Sequence, residues 1–292
     1  MKTLPLRRRF FAISIWVFAT VAPFVQAQSN KDQAADLSQV PQMHETIEQR
    51  DARMQWFRDA KLGMFIHWGP CTVGDREIGW GRHANRPWDI NQHGPRTSDP
   101  DYDNYYRRFN PVKYDADAWV RLAQEAGMKY MVLIAKHHDG FAQFDSKLTD
   151  YTIMQTPYGK DIMKQFVDAC HKHGMRVGLY YSTRDWESCM ILSPTPQGDG
   201  WSHRSSGKTR PLEECIRMLA SIASGGGNLL LNFGPDQFGE FRPEEVAIAR
   251  GMGAWLKKYG IAIYGTRGGP FTNGKWGGST HRGNTVYVQV FD

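Results

Sequence analysis

Two imidazoles, His137 and His138, stand side by side between Lys136 and Asp139, where the apolar run Tyr130 to Ala135 stops abruptly. A third, His67, ends the run Lys61-Leu62-Gly63-Met64-Phe65-Ile66 and is followed by Trp68 and Gly69. Unbroken apolar runs of this length read as strands buried on both faces. In α/β folds the chemistry gathers at the carboxyl ends of such strands. Three roles fit histidines placed there. They can cap strands and bond to neighbouring loops. They can hold a metal, although adjacent residues on a strand point to opposite sides, which makes joint chelation by His137 and His138 awkward. They can also bond the hydroxyls of a sugar whose apolar face lies on an aromatic ring, and ten Trp with 13% aromatic residues suit that reading. No Ser-His-Asp motif, phosphate loop or HExxH is present, and Gly225-Gly226-Gly227 precedes a strand, the reverse of a dinucleotide fingerprint.

The elements that must carry these residues repeat. Trp119, Leu122, Ala123 and Ala126 recur at helical spacing, with Asp115 as N-cap and Gly127 as the stop. Met163, Phe166, Val167 and Cys170 line a second helix face, ended by Gly174. Both helices pass through a glycine and a basic residue into a buried strand, at Gly127-Met128-Lys129 and Gly174-Met175-Arg176. That plan argues for a parallel sheet or barrel of α/β class. Further helices open at Pro211 and Pro243. Strands are expected at 62–68, 130–136, 176–182, 228–233 and 261–264, and an alternating, half-buried strand at 284–291. A (β/α) barrel of about eight strands needs more, and between Trp186 and Trp201 there is room for only one short β run. Residues 70–112 form a long loop whose Trp80 and Trp88 would wall a site.

Residues 1–27 read as a secretory signal: Lys2, Arg7, Arg8 and Arg9, then the apolar Phe10 to Val25, then small residues ending at Ala27. The segment is too short and wrongly flanked for a stable membrane span, so the protein is expected to be exported, to the periplasm or the extracellular space. Residues 28–53 read as a mobile polar leader and the folded domain is expected from 54. The net charge of +6 includes four charges in this signal, which has no Asp or Glu, and the remainder, near +2, argues against a nucleic-acid or anionic-membrane partner. Export would let Cys71, Cys170, Cys189 and Cys215 pair, but Cys170 and Cys215 fall on apolar helix faces that suit buried thiols.

Six blocks, taken together and in order, resemble the α-L-fucosidase family of retaining glycoside hydrolases. They are Phe65-Ile66-His67-Trp68-Gly69, Lys136-His137-His138-Asp139-Gly140-Phe141, Gly178-Leu179-Tyr180-Tyr181-Ser182 with Asp185-Trp186, Trp186-Glu187-Ser188-Cys189, Gly226-Gly227-Asn228-Leu229-Leu230-Leu231-Asn232, and Ile263-Tyr264-Gly265-Thr266. The resemblance covers about 54–267 and implies a distorted, TIM-like (β/α) barrel followed by a β-sandwich domain, which is expected to be absent here beyond its first strand, in 268–292. It implies release of terminal α-L-fucose from a fucosylated glycan or glycoconjugate, with no metal or cofactor. Residue by residue, it implies that His67, His137 and His138 hold the fucose hydroxyls, that Tyr181 lines the pocket and that Trp201 lies against the sugar's methyl group. It also places Glu77 and Trp80 where the family has an adjacent Glu-Trp pair.

The departures fall at one place. Such hydrolases use two carboxylates about 5 Å apart. In the family the nucleophilic Asp belongs between the block ending Asp185-Trp186 and the block beginning Trp186-Glu187, and here those blocks share one tryptophan. The nucleophile segment and the proton donor after it are absent, so the barrel is expected to be incomplete in its middle. Asp185 and Glu187 flank the junction as weak substitutes. Two classes of function follow: a fucosidase by descent with impaired activity, or a non-catalytic fucose-binding remnant or gene fragment.

Overall fold

In the computed structural model, which describes residues 45–82, 98–182, 200–203, 205 and 209–291, the apolar runs pair as expected. Strand β1 (Leu62–Ile66) lies parallel to β2 (Tyr130–Lys136) on one side and to β4 (Leu229–Phe233) on the other. Strand β3 (Arg176–Tyr181) pairs parallel to β2, giving the order β3-β2-β1-β4. Register fixes the faces, because side chains alternate. Leu62, Met64, Ile66, Met131, Leu133, Leu229 and Phe233 turn to one face, and most are fully buried. Phe65, Val132, Ile134, Gly178, Tyr180, Leu230 and Asn232 turn to the other.

The first face packs on helices. Helix α3 (Ala116–Glu125) is capped by the Asp115 carboxylate, which accepts from the Ala118 amide at 2.9 Å. Helix α4 (Ile162–Lys172) is capped by Asp161 in the same way. Glycines Gly127 and Gly174, with φ of 80° and 63°, turn each helix into its strand. These helices share one core with α5 (Leu212–Ser224) and α6 (Pro243–Tyr259), through Trp119, Leu122, Phe166, Leu219, Met252 and Leu256. Each large apolar side chain so buried stabilises by about 1.5–3 kcal/mol. The second face is covered by the segment after β1 and by the short helix α2 (Asp99–Asp103), with Cys71, Ile78, Tyr102 and Tyr105 packed against Ile134.

Three expectations differ from the structure. Residues 261–264 are not a strand: the amides of Ile263 and Tyr264 both close on the Gly260 carbonyl, and Ile263 drops into the core. Four residues are too few to reach a lateral partner once the turn has taken their donors. The expected leader overlaps helix α1 (Ile47–Ala60), which carries no apolar stripe and is held by reciprocal Thr46–Gln49 bonds at its start and an Arg58–Asp51 ion pair. Residues 45–50 fall in one compact unit and 51–291 in a second. Finally, in place of the single expected strand, β5 (Arg267–Gly268), β6 (Gly277–Arg282) and β7 (Thr285–Val290) form a three-stranded antiparallel sheet within that second unit. The alternation in β7 is real but reversed: Gln289 bonds to Ser224 and Ala262, while Val286, Val288 and Val290 are 42%, 54% and 72% exposed.

The signal and residues 28–44 lie outside the described residues, as do Trp88, Asp185, Trp186, Glu187 and Cys189. No helix among the described residues is long and apolar enough to cross a membrane. Cys71, Cys170 and Cys215 are buried thiols.

Candidate functional site

Past the carboxyl ends of β1 and β2 the histidines meet. His67, two residues after Phe65, keeps to the second face and is 4% exposed. Its ring lies 5.8 Å from that of His137. His137 and His138 do not diverge: their rings are 4.3 Å apart. Strand β2 has already ended at Lys136, and the Gly140 amide bonds back to the His137 carbonyl in a turn, so strand alternation no longer applies. Even so, no group of three His, Cys, Asp or Glu side chains able to hold a metal occurs among the described residues.

Aromatic rings frame the imidazoles. Trp201 lies 4.7 Å from His67 at 33°, and Trp80 meets His138 edge-on at 5.7 Å. The tyrosine that joins them is Tyr180, stacked on His137 at 5.7 Å and 6.3 Å from His67. Tyr181, the expected pocket residue, lies on the opposite face with Val177 and Leu179, is 53% exposed and sits under the Lys136 ammonium. Strand alternation permits only one of two adjacent tyrosines to face the cleft. Trp68 also turns away, into the core, where its indole donates to the Asp236 carbonyl at 2.7 Å.

Hydrogen bonds fix the donor and acceptor pattern. The Asn232 amide donates to the Trp201 carbonyl at 2.6 Å, which leaves its oxygen facing His67 Nδ1 at 2.6 Å. His67 must then carry its proton on Nδ1, and Nε2 is a bare acceptor. Burial drives the His67 pKa down to about 3 despite that bond, and pushes His137 well below its ordinary value, with the neighbouring His67, His138 and Lys136 charges adding to the effect. Both are neutral at pH 7. His138 Nδ1 pairs with the Ser182 hydroxyl at 2.7 Å, just past β3.

Both buried carboxyls beside the cluster are already engaged. Glu77 accepts from the Trp201 amide at 2.7 Å and the Ser202 amide at 3.2 Å. Asp139 accepts from the Tyr102 hydroxyl at 2.9 Å and the Phe141 amide at 3.3 Å, and burial lifts it to about 6. Of the expected residues, His67, His137, His138, Trp201, Glu77 and Trp80 are brought together and Tyr181 is not. Tyr180, Asn232, Asp139, Tyr102 and Ser182 complete the group. The signal for Asn232 was a polar side chain inside an otherwise apolar strand, which needs a buried partner.

The arrangement offers neutral ring nitrogens and flat aromatic faces, which is what a sugar pocket needs. A family model for alpha-L-fucosidase matches residues 26–200 and 184–261. Tissue alpha-L-fucosidase of Homo sapiens is 31% identical over 165 residues, covering 53% of this chain and 35% of that protein. Plasma alpha-L-fucosidase of Homo sapiens is 29% identical over 254 residues, covering 80% and 49%. The chain thus spans between a third and a half of the length of these relatives. Among solved structures, alpha-L-fucosidase isoenzyme 1 from Paenibacillus thiaminolyticus superposes with a TM-score of 0.71 at 24% identity, over 83% of this chain and 84% of that one, which shows a shared fold. With the model matching most of its length and five of the six motif blocks falling inside the match, the chain belongs to the alpha-L-fucosidase family.

Proposed function

We propose that this chain holds the sugar-binding part of an α-L-fucosidase site and is impaired in the retaining hydrolysis that releases terminal α-L-fucose from glycans. The observation that carries the reading is the convergence of His67, His137 and His138 with Trp201 past the ends of β1 and β2. A neutral His67 accepts a sugar hydroxyl proton at Nε2, and the Trp201 ring takes the apolar edge of the sugar. Retention requires a carboxylate aimed at the anomeric carbon and a second to shuttle the proton, about 5 Å apart. Glu77 and Asp139 are committed to Trp201, Ser202, Tyr102 and Phe141, so neither takes the nucleophile's part.

The reason for the impairment is an incomplete barrel. Among the described residues β3 and β4 each pair on one side only, and the chain between them contains the junction at Trp186. The family match also breaks into two stretches that overlap there, at 184–200. The remaining capacity is binding of a fucosylated glycan, in the periplasm or outside the cell to which residues 1–27 direct the chain. The test is an aryl α-L-fucoside hydrolysis assay on the purified protein beside an L-fucose titration. Background turnover with saturable binding is expected; robust turnover overturns the impairment, and absent binding overturns the pocket.

A further inference from the structure

The resemblance places Glu77, with Trp80, in the loop where the family has an adjacent Glu-Trp pair, yet its carboxylate is fully buried and bonded to the segment around Trp201. Oε1 receives the Trp201 amide at 2.7 Å and the Ser202 amide at 3.2 Å. The Ser202 hydroxyl adds a bond to Oε2 at 3.4 Å or to the Arg76 carbonyl at 3.1 Å, and accepts from the Ile78 amide at 3.0 Å. Residue 200 is glycine, and a Cβ there would overlap Oε2. The carboxylate therefore staples the segment around Trp201 to the loop after β1. Trp201 is held on its other side as well, since its carbonyl accepts the Asn232 amide that orients His67.

We propose that Glu77 is a positioning residue that acts through Trp201 and Asn232 to fix His67 with a protonated Nδ1 and a bare Nε2, and that it does not touch the sugar. If the Trp201 backbone shifts, the Asn232 amide loses the acceptor that distinguishes its nitrogen from its oxygen. It can then rotate, and His67 can carry its proton on either nitrogen. The chain of contacts sets the chemical preference of the pocket: at His67 Nε2 the ligand must present a hydrogen-bond donor, a hydroxyl and not a fluorine or a methoxy group. This inference deepens the proposed function and rests on it for the identity of the ligand.

The experiment reads the His67 side-chain nitrogens by NMR in the ligand-free protein, then titrates L-fucose. A single tautomer with Nδ1 protonated is expected in the native sequence and in Glu77→Gln, whose carboxamide oxygen still accepts the Trp201 amide. Glu77→Ala is expected to give mixed tautomers and an L-fucose affinity lower by about tenfold, the equivalent of one net hydrogen bond. Should Glu77→Ala fail to fold, Asn232→Ala carries the test: it leaves the Glu77–Trp201 bond in place and should mix the tautomers all the same. An unchanged single tautomer in a folded Glu77→Ala or in Asn232→Ala overturns the proposal. Native protein with the single tautomer but no L-fucose binding leaves the relay standing and refutes the fucose reading instead.

Discussion

Replacing Asp139 by Asn removes a charge that the fold disfavours. The carboxyl is 7% exposed, and bonds from Tyr102 and Phe141 do not offset its burial, which lifts the pKa from 3.8 to about 6. One pKa unit is about 1.4 kcal/mol, so keeping this group ionised costs the native state at most about 3 kcal/mol. Because the folded value lies above the unfolded one, the contribution of Asp139 to stability is complete below pH 3.8 and is lost as pH rises through 6. An amide has no such loss. Its oxygen still accepts, and if its nitrogen faces Tyr102 that hydroxyl has the Glu77 carbonyl as a second acceptor at 3.4 Å. Asp139→Asn is therefore expected to be about 1–2 kcal/mol more stable than the native sequence at pH 8, with the gap closing as pH falls from 6 toward 4. His67 works in the opposite direction, weakening the fold as pH falls below 6.5, but it is common to both proteins and cancels in the difference. Urea unfolding at several pH values across this range measures the gap. A difference independent of pH, or a native protein more stable at pH 8, would refute the reasoning.

Three further outcomes are expected. Tyr180→Ala should weaken L-fucose binding and remove a ring stack on His137 worth about 0.5–1.5 kcal/mol, whereas Tyr181→Ala should leave binding unchanged; equal losses in a binding titration would contradict the assigned faces. Gly200→Ala should destabilise by about 1–3 kcal/mol because the new methyl meets the Glu77 carboxylate, a loss that chemical unfolding reads directly. Val288→Thr, on the exposed side of β7, should change unfolding free energy by no more than about 0.5 kcal/mol and reduce aggregation seen by light scattering.

The sheet was legible because the strands of a parallel sheet leave apolar runs, and β1 through β4 each carry one, from Leu62, Tyr130, Val177 and Leu229. The helices were legible through the apolar spacing of their faces, the Asp115 cap and their glycine stops, while the Asp161 cap came from the structure. Periodicity lost its hold where strands ended. The proximity of His137 and His138 depends on a turn closed by the Gly140 amide, and the turning of 261–264 depends on the Gly260 carbonyl; neither shows in an apolar pattern. The choice of Tyr180 over Tyr181 needed the register of β3 on β2, which pairing sets and local sequence does not. Helix α1 was hidden for a different reason: its apolar residues form no stripe, and it is marked by its capping bonds and by the contacts of Trp56 and Phe57 with Tyr130.

Isothermal titration of L-fucose at pH 7, into the native chain and into His67→Phe, tests the sugar cradle most directly. The expected result is a saturable single-site heat in the native chain that disappears in a folded His67→Phe. A native chain with no heat, or a His67→Phe chain that binds as tightly, would contradict the account.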